Sequence, residues 1–146
     1  MDKERNEKVL SSWLKMTRVI NNDRITAELP FNETLICRYL YQHRKEKVRA
    51  SDLCAWTHMQ KSQMNRTLTN MEKKKLIHRT RNEEDRREVF IELNEDMSAV
   101  YSDQHQEILT LVDEICSELG KEKTDEIVKM FDLVSSVSEK IIENKK

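Results

Sequence analysis

The sequence predicts a mainly α-helical fold with one small β-hairpin. The chain of 146 residues has one Gly, one Pro and 36% charged residues, and its mean hydropathy is −0.81. This composition supplies few helix breakers and many solvated side chains, which favours long amphipathic helices over a sheet protein. Apolar residues recur at helical spacing in six segments, and two strand-like runs lie among them. A chain of this length is expected to form one domain, 1–146.

The helices predicted before residue 48 each carry one apolar face. In the first helix an apolar side chain recurs every three or four residues: Val9, Trp13, Met16 and Ile20. Pro30 then interrupts the helical pattern, because proline lacks the N–H that a helix interior needs. Asn32 is expected to cap the second helix, with Phe31 packed against Ile36 as a hydrophobic staple.

Short elements occupy the range 48–93. Two helical patterns, 51–57 and 61–74, are followed by two strand-like runs, 76–81 and 88–93. This order predicts a helix-turn-helix that ends in a β-hairpin.

Two long helices are predicted after residue 94. The first should stop at Gly120, because glycine adopts a left-handed C-cap without steric cost. The second repeats apolar residues at alternating spacings of three and four: Ile127, Met130, Val134, Val137 and Ile141. A narrow apolar seam of this kind pairs with another helix, so we expect the chain to form a homodimer.

The formal net charge of −1 hides an uneven distribution. The ranges 1–47 and 48–93 each carry ten Lys/Arg and seven Asp/Glu, whereas 94–146 carries six and thirteen. Within 61–81, seven cations accompany a single anion, Glu72. Basic residues concentrated on one element are typical of proteins that bind a phosphate backbone. We therefore expect double-stranded DNA to be the partner of the range 48–93.

The most distinctive motif lies at the tip of the predicted hairpin. The sequence Asp85-Arg86-Arg87 stands between a basic strand and an apolar strand. In this motif, and in the number and length of its helices, essentially the whole chain resembles the MarR (multiple antibiotic resistance regulator) transcription factors. The resemblance implies a winged helix-turn-helix at 48–93, flanked by dimerisation helices in 1–47 and 94–146. Two residues depart from the family pattern, since His58 and Lys75 stand where the family usually has Gly.

The candidate DNA-binding residues lie on the second short helix and on the wing. The major groove admits one helix, whose N-terminal half can present side chains to base edges. Asn and Gln can pair with adenine, Arg with guanine, and Ser or Lys with phosphate. The expected set is Lys61, Ser62, Gln63, Asn65, Arg66, Arg79, Arg81, Asp85, Arg86 and Arg87.

The wing has a defined expected role within that set. Asp85 and Arg87 are two apart in an extended segment, so the carboxylate can hold the guanidinium in place. The resemblance implies that Arg87 enters the minor groove, whose negative potential favours arginine. Arg86 would then contact the flanking backbone.

The resemblance also implies the regulatory behaviour. Family members are commonly homodimeric repressors that bind a pseudo-palindromic operator and respond to small aromatic or otherwise lipophilic effectors. The candidate effector-binding residues in this sequence are Trp13, Met16, Ile20, Tyr39 and Tyr41. The operator, the effector and the sign of regulation do not follow from the sequence.

Enzymatic function is not expected, because the sequence has no Gly-rich phosphate loop, no GxSxG and no HExxH. No cofactor is expected either. The three cysteines, Cys37, Cys54 and Cys116, form no CxxC pair, and an odd count argues against a disulfide framework. A metal site would require Glu33, Cys37, His43 and His105 to converge.

Two alternatives stay open at this stage. The first is a redox- or metal-responsive regulator of the same fold, and the second is a winged-helix module that binds protein instead of DNA. The charged N-terminus, 1–8, and the lack of a run of roughly 20 apolar residues predict no signal peptide, no membrane span and a cytoplasmic protein.

Overall fold

A computed structural model describes residues 1–22 and 29–146 of the chain. Within these ranges it contains six helices and a three-stranded sheet, in agreement with the predicted fold class. The elements are α1 (Lys3–Asn22), α2 (Phe31–Gln42), β1 (Val48–Arg49), α3 (Ala50–Thr57), α4 (Lys61–Lys73), β2 (Ile77–Arg81), β3 (Val89–Leu93), α5 (Glu95–Leu119) and α6 (Lys121–Glu143).

The chain separates into two compact units, 1–108 and 109–146. The first contains α1 to α4, the sheet and the first half of α5. The second contains the end of α5 and all of α6.

The core of the first unit lies under α4 and the sheet. Its members are apolar side chains contributed by α2, α3, α4 and the three strands. The largest of those that are fully buried are Ile36, Leu53, Met64, Leu68, Met71, Ile77 and Ile91. Burial of each such side chain contributes about 1.5–3 kcal/mol to folding, so the helix-turn-helix and the hairpin form one packed body.

The sheet is antiparallel with strand order β1-β3-β2. In the hairpin, Ile77 pairs with Leu93 and Arg81 with Val89. The short strand β1, which the sequence did not predict, pairs Val48 with Ile91 on the other side of β3. Because α3 begins at the residue after β1, the sheet fixes the start of the helix-turn-helix.

Two turns of the module use left-handed backbone without glycine. His58 ends α3 with φ 61° and ψ 17°, and Lys75 lies between α4 and β2 with φ 62°. Left-handed backbone brings Cβ close to the following carbonyl oxygen. These are the two positions where the sequence departs from the glycine of the MarR pattern, so the turn geometry is kept in spite of the substitutions.

Two predicted helix boundaries differ in detail. Pro30 is the N-cap of α2, and Asn32 lies inside its first turn without capping it. The expected staple also fails, because Phe31 is exposed. Gly120 has a positive φ of 84°, as expected, but its ψ of 158° is extended rather than left-handed helical, and it forms the N-cap of α6.

The terminal helices keep large apolar side chains at their surfaces. No residue of α1 or α6 is buried. In α6 the exposed apolar residues are Ile127, Val128, Met130, Phe131, Leu133, Val134, Val137, Ile141 and Ile142. Among the described residues, no helix has the length and apolar character needed to cross a membrane.

Candidate nucleic-acid interface

Helix α4 has one buried face and one polar face. Met64, Leu68 and Met71 are buried in the core, and their spacing of three and four places them on one side of the helix. The rest of the helix surface is open to solvent and carries the residues predicted to contact DNA: Lys61, Ser62, Gln63, Asn65 and Arg66, all of them exposed. The structure therefore brings these five side chains together on one surface.

The N-terminus of α4 has backbone N–H groups without an intrahelical partner. Its N-cap, Gln60, makes no side-chain capping hydrogen bond within the described part of the chain. The first N–H groups of a helix have no intrahelical partner and carry a partial positive charge. This end of α4 can therefore donate hydrogen bonds to an anionic group next to Lys61.

The wing tip positions Arg87 by contacts with Asp85. The carboxylate Oδ1 accepts hydrogen bonds from the backbone N–H of Arg87 at 3.0 Å and from its Nε at 3.1 Å. These bonds, the side-chain bond first, lower the pKa of Asp85 below its ordinary value. The Arg87 side chain is itself 92% exposed. The carboxylate thus orients a guanidinium that projects into solvent, as predicted. The two residues lie in a turn, closed by the N–H of Glu88 donating to the carbonyl of Asp85 at 3.0 Å, and not in the expected extended segment.

Arg81 and Arg86 of the wing differ in their contacts. Arg81 donates from Nη1 to the carbonyl oxygen of Arg86 at 2.9 Å. This bond closes the base of the loop, where the N–H of Asn82 also donates to the carbonyl of Glu88 at 3.0 Å. Arg86 itself is exposed at the tip. Arg81 therefore stabilises the loop, while Arg86 presents a charge to solvent.

Arg79 connects the wing to α4. Its Nε donates to Glu72 at 2.9 Å, and its Nη2 donates to the hydroxyl of Thr69 at 3.3 Å. The hydrogen bond from Arg79 is the largest cause of the lowered pKa of Glu72. Arg79 was predicted to bind DNA, and two of its N–H groups are used inside the module. Its first role in the structure is to brace the hairpin against the helix.

A second brace holds the far end of α4. Lys74, the C-cap residue, donates from Nζ to both carboxylate oxygens of Glu33 on α2, at 2.9 and 3.0 Å. Glu33 is buried, with 7% of its side chain exposed. The partners are 41 residues apart, so sequence reasoning, which counted Lys74 only as a surface cation, had no signal for the pair.

A basic cleft of about 460 Å³ lies between α3, α4 and the wing. We call it the wing cleft. Its charged lining residues are Arg49, Lys61, Arg79, Arg81, Arg87 and Glu88. Sequence analysis had not singled out Arg49 or Glu88. Arg49 immediately precedes the helix-turn-helix and Glu88 ends the wing loop, but the pairing of β1 with β3 is needed to bring them together.

The candidate effector-binding residues do not form one site in the described structure. Tyr39 stacks on His43 with 4.0 Å between ring centroids and tilts against Trp56. Tyr41 instead contacts Tyr101 at 5.2 Å between centroids and shares a hydrogen bond with a serine of α5. The two tyrosines thus belong to separate aromatic groups. On α1, Trp13 and Met16 are exposed and Ile20 is half-buried.

The candidate metal ligands do not converge on one site in the described residues, and the cysteines form no disulfide there. Among the described residues, no group of three or more His, Cys, Asp or Glu side chains could hold a metal ion. The three cysteines are free. Burial, followed by the nearby carboxylate of Glu33, raises the pKa of Cys37 to about 12. Because the thiolate is the reactive form, Cys37 is held as an unreactive thiol.

The comparison with family models decides the classification. A model described as transcriptional regulator SarA/Rot matches residues 18–104, more than half of the chain. The chain belongs to the SarA/Rot family of transcriptional regulators. The match includes all of α2 to β3, and therefore the whole candidate interface. No curated protein sequence matches the chain significantly.

Solved structures confirm the predicted MarR-like winged-helix fold. FabT of Streptococcus pneumoniae, solved in complex with DNA, has a TM-score of 0.71 and 19% identity, over 96% of this chain and 99% of that one. PcaV of Streptomyces coelicolor, solved with its natural ligand, has a TM-score of 0.73 and 14% identity, over 95% of this chain and 96% of that one. MarR itself has a TM-score of 0.64 and 18% identity, over 92% of this chain and 97% of that one. A member of the SarA/Rot family thus has the same architecture as these regulators along nearly its full length.

Proposed function

We propose that this protein is a homodimeric transcriptional repressor that binds double-stranded DNA in a sequence-specific manner. The observation that carries the proposal is the polar surface of α4, where five side chains able to contact bases or phosphate are exposed while Met64, Leu68 and Met71 are buried. The wing beside it presents the oriented guanidinium of Arg87. A helix with a flanking basic wing fits a major groove and the adjacent minor groove.

Within this interface the residues have different roles. Gln63, Asn65 and Arg66 are proposed to contact base edges, because amide and guanidinium groups can form paired hydrogen bonds with adenine and guanine. Lys61 and Ser62 are proposed to contact phosphate near the N-terminus of α4.

The wing residues complete the interface. Arg87, oriented by Asp85, is proposed to enter the minor groove, with Arg86 on the flanking backbone. Arg79 and Arg81 are proposed to lie close to the DNA while holding the wing in position through the bonds described above.

Two measurements test the DNA-binding proposal. Sequencing of the DNA fragments that the protein selects from its own genome should reveal one recurrent inverted repeat. Affinity for that site should fall with salt, with a slope of roughly −0.9 in log affinity per log salt for each phosphate contact. A protein that selects no sequence, or whose affinity is unchanged between low and physiological salt, would not use this surface for DNA.

Homodimerisation is proposed from the exposed apolar side chains of α6. Soluble monomers rarely expose contiguous apolar patches larger than a few hundred Å², and the seam has the three-and-four spacing of helices that pair. A second copy of the chain offers an identical seam, and two linked modules would give half-sites about 10 bp apart.

Charges placed in the seam test this part. Met130→Asp combined with Val134→Asp should dissociate or unfold the protein in sedimentation, because each buried unpaired charge costs several kcal/mol. The control combines Ser135→Asp with Ser136→Asp, which adds the same charge to exposed positions of α6 away from the seam and should leave a dimer. An intact, operator-competent dimer in the seam variant would move the interface to another helix.

Repression and release by a small aromatic or lipophilic effector rest on the resemblance. Trp13, Met16, Ile20, Tyr39 and Tyr41 remain the proposed effector contacts, although the two tyrosines would have to contribute from different aromatic groups. Deleting the gene should raise transcription from promoters that contain the selected site. As a lipophilic probe, anilinonaphthalene sulfonate should bind, quench tryptophan fluorescence and lower operator affinity; binding without any effect on the operator would argue against an effector site.

A further inference from the structure

The wing cleft contains an anion of the protein itself. Glu88 lies at the end of the wing loop, and its Oε1 is 3.2 Å from Nη2 of Arg49. Its Oε2 accepts a hydrogen bond of 2.9 Å from the side-chain amide of Asn82. Among the described residues that line the cleft, Glu88 is the single acid. The carboxylate is therefore fixed at two points beside several guanidinium groups.

The cationic side chains of the cleft differ in the partners with which they form ion pairs or hydrogen bonds. Arg79 pairs with an acid of α4 and Arg87 with an acid of the wing tip, and both acids lie outside the cleft lining. Arg81 donates only to a backbone carbonyl. Lys61 makes no ion pair among the residues that the structure describes. Arg49 is thus the cation whose charge is neutralised from within the cleft.

We propose that the wing cleft is a phosphate site, and that Glu88 is the internal anion that a backbone phosphate of duplex DNA displaces from Arg49. A guanidinium binds carboxylate and phosphate oxygens by the same charge-assisted hydrogen bonds. Glu88 thus occupies, in the free protein, the position that a phosphate oxygen takes in the complex. This inference rests on the proposed function for the source of the phosphate.

The ion pair of Arg49 and Glu88 is open enough to solvent for a phosphate to replace the carboxylate. The side chain of Arg49 is 53% exposed and that of Glu88 is 31% exposed. Breaking an exposed ion pair leaves neither charge buried, so the exchange avoids the large desolvation cost of a buried pair. Glu88 consequently reduces affinity for all DNA sequences alike, because phosphate contacts carry no sequence information.

Removal of the Glu88 charge tests the proposal. Glu88→Gln keeps an oxygen for Asn82 and should raise affinity for the operator and for random duplex DNA by the same factor. That factor should be roughly two- to fivefold, the equivalent of one exposed ion pair. The salt slope should change by much less than the 0.9 of a whole phosphate contact, because the phosphate reaches Arg49 in both proteins. The control Glu84→Gln removes the same charge from the exposed wing loop and should give a smaller gain.

Variants that also lack Arg49 distinguish the displacement of Glu88 from a general effect of removing a negative charge. In an Arg49→Gln background, Glu88→Gln should lose its advantage, whereas the small effect of Glu84→Gln should persist unchanged. Unfolding curves should show all five variants folded, and Glu88→Ala provides a second removal of the carboxylate. Equal gains from both glutamate changes, persisting without Arg49, would overturn the proposal.

A titration with inorganic phosphate distinguishes the two possible sources of the anion, which are the DNA backbone and free phosphate. At constant ionic strength it should shift the Nε–Hε resonance of Arg49 more strongly in Glu88→Gln than in Glu84→Gln. If wild-type protein binds no DNA but this shift is seen, the proposed function fails while the phosphate site stands, with free phosphate as its ligand. If inorganic phosphate shifts neither variant and DNA affinity is insensitive to Glu88, there is no phosphate site in the cleft.

Discussion

Replacing Lys75 by glycine should stabilise the protein. Lys75 joins α4 to β2 with φ 62°, a conformation that costs a residue with Cβ roughly 1–2 kcal/mol relative to glycine. Glycine in turn gives the unfolded chain more freedom, which costs about 0.4–1 kcal/mol. The difference is a net gain of about 0.5–1 kcal/mol in the free energy of unfolding, or about 1–4 °C in Tm for a chain of this size.

The matched comparison is Lys75→Ala. Both variants remove the exposed ammonium group, but alanine keeps the Cβ that the left-handed turn disfavours. Urea or thermal unfolding at one fixed protein concentration should therefore place Lys75→Gly above Lys75→Ala. Their affinities for DNA should be equal, because the two variants lack the same charge.

Equal stability of the two variants would contradict the backbone strain assigned to Lys75. If Lys75→Gly unfolds at the same denaturant concentration as Lys75→Ala, the strain that glycine relieves is no greater than the about 0.4–1 kcal/mol that its freedom in the unfolded chain costs. The hydrogen bond from the side chain of Asn94 to the carbonyl of Lys75, at 2.6 Å, would then be sufficient to stabilise the turn.

The remaining predictions concern single side chains of the first unit. Arg66→Ala should change base preference at one or two operator positions and cost about 1–3 kcal/mol of binding, whereas Lys73→Ala, the control at the far end of α4, should weaken all sequences slightly and equally. Arg87→Ala should relax the preference for A·T-rich flanks in a selection experiment; an unchanged flank preference would remove it from the minor groove. Since the pKa of Asp85 is lowered, its bond to Arg87 should persist at pH 5–8 and be lost only below about pH 4, through the lowered pKa, as the Arg87 Nε–Hε resonance can report. Cys37, with its pKa raised to about 12, should resist iodoacetamide at pH 8, where about one thiol in ten thousand is ionised; alkylation in the folded protein, seen by peptide mass, would contradict this.

The elements of the winged module were predictable because their signals are local. The spacing of Met64, Leu68 and Met71 predicts both the helix and its buried face, and the alternation of Val89, Ile91 and Leu93 predicts a strand. Asp85 and Arg87 are close in sequence, so their contact also followed from the residues alone. The structure confirms each of these features.

Contacts between distant segments could not be predicted in this way. The pair of Glu33 and Lys74 depends on the packing of α2 against the end of α4. The pair of Arg49 and Glu88 depends on β1, a strand of two residues that is too short to show alternation. Sequence patterns give the faces of single elements, whereas these ion pairs depend on the angles at which the elements meet.

The strand order β1-β3-β2 has a consequence for the solubility of the protein. The apolar strand, Val89–Leu93, is the central one and is paired on both sides. The outer edges are the two residues of β1 and the basic strand Ile77–Arg81. Short or positively charged edges are poor templates for the addition of a further strand. The sheet therefore resists edge-to-edge aggregation, even though the proposed interface places the same basic strand against a polyanion.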